Sequence, residues 1–212
     1  MCIRDSRGDA LEAASEVYRG SPTDVQVSPR VLRDPDGKVA EVLIAHGVAT
    51  FETDYLRLDA QGGATRLDLP RKTRFHGYVD GRMILTLDED WPAAGNRPAL
   101  AAGALVAFDA RTQLAQLIFA HNRSQAINAA VVTPNRVLVD LLEDVNESLQ
   151  IFAPTADGWT RRRIELPKGS AITLRAADHG ADRAYAVSYT HLTFHGHPER
   201  QFSGSLLDGL HQ

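Results

Sequence analysis

The chain has 212 residues, a formal charge of −4 and 43% hydrophobic residues, a composition ordinary for one or two globular domains that bury a core. The acidic balance argues against a nucleic-acid surface. No apolar run reaches the roughly 18 residues of a membrane span, no charged start leads into an apolar stretch as in a secretion signal, and a single cysteine, Cys2, excludes an internal disulfide framework.

Met1 to Ser6, MCIRDS, and Val187 to Thr193, VSYTHLT, resemble peptides that arise when sequencing-adapter DNA is translated at the ends of unrelated reading frames. The expected organisation is adapter-derived residues at 1–6, native protein over 7–186 and a tail of doubtful origin over 187–212. Asp9 to Tyr18 has Leu11, Ala14 and Val17 or Tyr18 at helical spacing and reads either as a short helix or as an extended lead-in. Gly20 to Thr23 punctuates the chain. Asp24 to Leu32 then alternates as a strand, followed by strands over 40–49, 53–58 and 65–69, with Gly62-Gly63 as a turn.

Arg74 to Trp91 carries two apolar runs joined at Asp80-Gly81, the pairing that accepts positive φ in a tight hairpin. A loop rich in Pro and Gly over 92–98 separates it from strands at 104–108 and 116–120. Further strands are expected over 127–132, 137–142, 148–152 and 160–166. Ala171 to Val187 repeats the hairpin phrase once more.

The phrase is periodic. A turn followed by a basic residue and an apolar run recurs at Lys38, Arg82, Arg136 and Arg183, a step of roughly 44–54 residues of the kind that propeller blades give. Leu67-Asp68-Leu69-Pro70 and Ile164-Glu165-Leu166-Pro167 mark the same period, about two units apart. The expected fold is all-β, an incomplete β-propeller of about three to four four-stranded antiparallel blades, the last one broken off after two strands. So few blades do not close a ring, and the isolated row is expected to expose apolar blade faces.

The order and spacing of these phrases resemble a known family. Asp24-Val25, Ser28-Pro29, Val31 to Asp34, Phe51-Glu52-Thr53, Val79 to Arg82, Leu87 to Trp91, Gly103 to Asp109, Thr133 to Arg136, Leu141 to Val145 and Gly158 to Arg161 together resemble the propeller portion of serine peptidases of the prolyl oligopeptidase family. The resemblance covers nearly all of 7–186, and no single phrase in it is diagnostic. It implies a parent in which the propeller caps an α/β-hydrolase domain with a Ser-Asp-His triad and restricts access to short peptides. In that reading the partners are the parent's own catalytic domain and peptide substrates, with no nucleic acid and no membrane. The compartment, bacterial cytoplasm or periplasm, stays open.

The family's catalytic residues have no counterpart in this sequence. A hydrolase nucleophile needs a G-x-S-x-G elbow, and Phe202 to Leu206, FSGSL, lacks its first glycine. His191, His195 and His197 have a spacing that metal sites use but lie in the doubtful tail. His46, His76, His121 and His179 are dispersed and read as turn or surface residues. Asp88-Glu89-Asp90 reads as a solvated turn rather than an acid/base pair, and Gly37, Gly62-Gly63 and Gly81 lack the strand-glycine-helix context of a phosphate loop. Arg161 and Arg163 are expected to face out, with Arg162 on the side of Ile164. Trp91 and Trp159 are expected to pack in or beside the blades. Asn122-Arg123-Ser124 and Asn146-Glu147-Ser148 match the glycosylation sequon and carry little weight. No catalytic, cofactor-binding or metal residue is assigned to this chain. The rival readings are a non-enzymatic propeller that binds a protein or ligand, and a propeller enzyme with its site at the ring centre.

Overall fold

A computed structural model describes residues 16–95, 98–144, 146–164, 170–178 and 182–190. The strands form consecutive antiparallel meanders. β1 (Gln26–Arg33), β2 (Val39–Ala49), β3 (Glu52–Leu58) and β4 (Ala64–Arg66) make the first blade. β5 (Thr73–Val79), β6 (Arg82–Leu87), β7 (Leu105–Asp109) and β8 (Leu114–Phe119) make the second. β9 (Gln125–Val132), β10 (Val137–Glu143), β11 (Asn146–Thr155) and β12 (Gly158–Ile164) make the third, and β13 (Ser170–Asp178) with β14 (Arg183–Thr190) form a two-stranded fourth sheet. β5 touches both β1 and β9, and β9 touches β13, so the first strands of successive blades stand side by side. The predicted row of blades is therefore present, with its fourth member two-stranded.

Local chemistry sets the turns. Asp80 at φ 49° and Gly81 at φ 75° give the β5–β6 hairpin two consecutive left-handed residues, the arrangement whose twist matches that of the flanking strands. In the third blade Thr133 N–H closes the turn on the Arg136 carbonyl at 2.9 Å.

Packing explains why the middle strands read as unbroken apolar runs rather than alternating ones. On β6, Met83, Leu85 and Leu87 enter a core shared with Leu43, Ala45 and Tyr55 of the first blade, while Ile84 enters a second core with Val137, Val139 and Phe152 of the third. β10 does the same one gap further on. Its Val137, Val139 and Leu141 face the second blade, and Leu138 joins Leu149, Ile151, Ile172 and Ala184 against the fourth sheet. A strand buried on both faces has no polar parity. Each such Leu or Phe contributes about 1.5–3 kcal/mol by leaving water, so stability resides in the gaps between sheets.

Polar ties reinforce the first gap. Glu41 on β2, with its side chain only 4% exposed, accepts from Arg57 Nε at 2.7 Å and from Arg111 Nε, which reaches it from the β7–β8 turn of the next blade. Arg111 Nη2 also donates to the Ala40 carbonyl at 2.9 Å. Both arginines retain solvent, so Glu41→Gln is expected to cost about 1 kcal/mol rather than the larger penalty of a sealed pair. Urea denaturation of the two proteins side by side measures it.

One expectation is corrected. The strand expected over 65–69 stops at Arg66, because Leu67 and Leu69, 2% and 7% exposed, turn out of the sheet into the first core. Of the stretch read as a short helix or an extended lead-in, 9–15 lie outside the described residues and 16–18 carry no helix. The face of the first blade turned away from the second carries exposed Val31 and half-buried Val42, Leu56 and Leu58, an apolar stripe of the kind the sequence anticipated.

Candidate functional site

Where the first strands meet, a cavity of about 570 Å³ opens between the ends of β1 and β5 and the β1–β2, β5–β6 and β9–β10 turns. Phe75, His76, Gly77 and Tyr78 line it from β5, Val31 to Asp34 from β1, and Pro134 closes one side. Arg30 lies over the Phe75 ring at 5.1 Å. Burial, with the charge of Glu41 adding to it, pushes the Tyr78 phenol up from its ordinary value, so the hydroxyl stays protonated at neutral pH. The lining offers apolar and aromatic surface with charges at the rim and no nucleophile with a base beside it.

His76 is the least expected residue here. The sequence placed it at a turn or surface; the structure half-buries it at a bulge in β5, between Phe75 and Gly77. Nε2 lies 2.8 Å from the Thr86 hydroxyl, and the Ala130 carbonyl of β9 accepts from the ring. Burial lowers its pKa to about 4, with the Arg74 charge adding to the effect. The imidazole is thus a neutral seam between blades two and three.

His46 is also in a strand rather than a turn. Its Nε2 lies 2.6 Å from Asp24 Oδ2 and its Nδ1 2.9 Å from Tyr18 Oη, fastening the lead-in segment to β2. The hydrogen bond to His46 holds the Asp24 carboxyl below its usual value. His121 sits against the Ala102 and Asn122 carbonyls. His179, His191, His195, His197 and the serines near 203 lie outside the described residues. Among the described residues no group of three or more His, Cys, Asp or Glu is placed to hold a metal ion.

The acidic run is a set of pins. Asp88 pairs with Arg74 at 3.0 Å, Glu89 accepts from the Lys72 amide at 3.0 Å and Asp90 from the Ala102 amide at 2.8 Å. Trp91 is buried in the first core, and Trp159 packs on the second while its Nε1 donates to Gln116 at 3.1 Å. Arg162 has the parity of Ile164, pairing with Ile151 as Ile164 pairs with Leu149, but it is exposed rather than on a buried side. Arg161 is exposed as expected, and it also lies 4.7 Å from the Phe119 ring centre and donates to Gln150. Its flat guanidinium covers the aromatic core edge while staying wet.

Sequence reasoning passed over Asp140, which is fully buried on β10. Asn128 donates to its Oδ2 at 2.7 Å, and its Oδ1 has no hydrogen-bond partner. Burial raises its pKa, and the nearby Glu147 adds to the rise. A carboxyl raised in the folded state favours folding below its unfolded pKa of about 3.9 and loses that contribution as pH rises. Asp140→Asn, which keeps an oxygen for Asn128, is therefore expected to raise the melting temperature near neutral pH and to leave it unchanged at pH 3. Melting curves at the two pH values check it.

No protein-family model matches the chain. Over 192 residues it is 30% identical to the uncharacterized peptidase y4nA of Sinorhizobium fredii, a match taking in 86% of this chain and 26% of that protein. A post-proline cleaving enzyme from Rickettsia typhi superposes with a TM-score of 0.73 at 17% identity, over 86% of this chain and 28% of the enzyme. One of two prolyl endopeptidases analysed for the role of inter-domain dynamics in catalysis and specificity superposes at 0.56 and 14% identity, over 87% of this chain and 26% of its own. The chain spans about a quarter of the length of each of these relatives. It has the fold of the propeller portion of prolyl endopeptidases and, over most of its length, is similar in sequence to a peptidase.

Proposed function

We propose that this chain is the substrate-gating propeller portion of a serine peptidase of the prolyl oligopeptidase type, whose α/β-hydrolase domain lies in the parent polypeptide beyond it. The observation that carries the reading is the match to a peptidase over 86% of the chain but only 26% of that relative. The role of the blades is steric. Their first strands stand together along one edge. Access for a peptide is then set by the width that those strands leave at the centre of the completed ring.

Sequencing the source DNA on both sides of codons 7–186 tests this. A G-x-S-x-G elbow followed in frame by an aspartate and a histidine is the expected result. A native frame that completes a ring of blades and stops would replace the peptidase with a non-enzymatic binding propeller. The 212-residue chain itself is expected to release no product from prolyl peptides.

A further inference from the structure

The strands' ends define two faces. The β1–β2, β5–β6, β9–β10 and β13–β14 turns lie on one; the β2–β3, β6–β7 and β10–β11 connections and the crossings between blades lie on the other. On this second face the β2–β3 hairpin tip holds Phe51, 89% exposed and at φ 64°. Phe108, Phe119 and Phe152 are buried. A left-handed turn position favours Gly or Asn, and a bulky side chain there is an outlier. Inside this chain the Phe51 ring is neither buried nor sterically suited to its place.

Its surroundings are built to hold it. Thr53 N–H donates to the Arg71 carbonyl at 2.9 Å, Lys72 Nζ stands 3.9 Å from Glu52, and the Lys72 backbone joins Glu89 and Asp88 at 3.0 and 2.7 Å. The hairpin tip is thereby tied to the connection between β6 and β7. That connection runs over residues 88–104, whereas its counterparts in the first and third blades span only 50–51 and 144–145. Reciprocal backbone bonds, at 2.8 and 2.9 Å, tie Trp91 to Leu100 within it. Among its described residues, Pro92, Ala93, Ala94, Pro98 and Ala99 are small, apolar and exposed. Long loops are where binding surfaces sit. The lead-in segment lies on the same face, where Val25 N–H donates to the Gly47 carbonyl at 2.8 Å.

We propose that the β2–β3 tip, with Phe51 as the anchor, and the exposed residues 92–95 and 98–99 of the β6–β7 connection form the surface on which the rest of the parent polypeptide docks, the phenyl ring entering an apolar pocket of that second domain. The inference rests on reading this chain as one part of a longer peptidase, some three quarters of whose relative lies outside the match. An exposed aromatic at the tip of a short hairpin that is tied to the neighbouring connection has the make-up of an interface anchor.

The test compares backbone hydrogen exchange at residues 49–53 in the 212-residue chain and in the full-length parent recovered from the source DNA. Exchange at least tenfold slower in the parent is expected, with no change at the β3–β4 turn, Asp59 to Gly63, on the opposite face. A photoreactive benzoylphenylalanine in place of Phe51 in the parent should crosslink to residues outside these 212. Equal exchange in the two proteins, or crosslinks only between copies of the parent, overturns the proposal. If the parent has the hydrolase elbow and the tip is unprotected, docking fails and the peptidase reading stands. If the elbow is missing and the tip is protected against another domain, the reverse holds.

Discussion

Lowering the pH from 7 to 4 is expected to remove about 3 kcal/mol of folding stability through one side chain, His76. Its folded pKa is about 4 against an ordinary 6.5, and each unit is worth about 1.36 kcal/mol. Between those values the unfolded chain binds the proton and the folded chain does not, so stability rises with pH across the window. The contribution is complete above about 6.5 and is lost as pH falls towards 4. The cause is burial, which strips water from the charged form of the ring, with the Arg74 charge adding to it and the hydrogen bond to the Ala130 carbonyl opposing it only in part. Urea unfolding at intervals from pH 4 to 7, on the native chain and on His76→Gln, measures the effect. The native chain should show the slope and the variant should lose it; parallel curves would remove His76 as the source.

Gly77→Ala is expected to be at least as damaging, by about 3–5 kcal/mol, combining left-handed strain with overpacking. Gly77 sits at φ 152°, and a Cβ built on it would lie 2.0 Å from Val132 Cγ2 on the neighbouring inner strand. Backbone and side chain cannot both keep their places, so the gap between the second and third blades must widen. The double variant Gly77→Ala with Val132→Ala separates the two causes. Relief of the steric part should restore roughly half of the loss while the backbone strain persists. If the double variant is simply the sum of the two single losses, Val132 is not the obstacle. Thermal melts of the four proteins in the cycle decide this.

Much of the blade row was legible because its signals are local. Asp80-Gly81 is a hairpin in any context, and the β6 and β10 runs are too long and too apolar for one-faced strands. The order of phrases carried the family resemblance where no motif did. What escaped depends on contacts between residues far apart in sequence. His76 looks like a surface histidine until β9 is laid against β5, and Asp140 draws no notice in an apolar run until its burial beside Asn128 is seen. Parity put Arg161 towards solvent, yet Phe119 of the neighbouring blade lies within its reach. Leu67 and Leu69 alternate like a strand but are claimed by the core. Phe51 gave no signal, since an exposed aromatic at a turn is visible only once φ and exposure are known.

The two tryptophans of the chain fall in different gaps, Trp91 between the first and second blades and Trp159 between the second and third, its indole N–H held by Gln116 across the divide. Their fluorescence therefore provides two optical channels, each for one seam. With Trp159→Phe the remaining emission follows the first seam, and with Trp91→Phe the second, so a stopped-flow record of each variant gives the order in which the blades part. Coincident traces would mean that the row opens as one body, and separated traces that it unzips from an end.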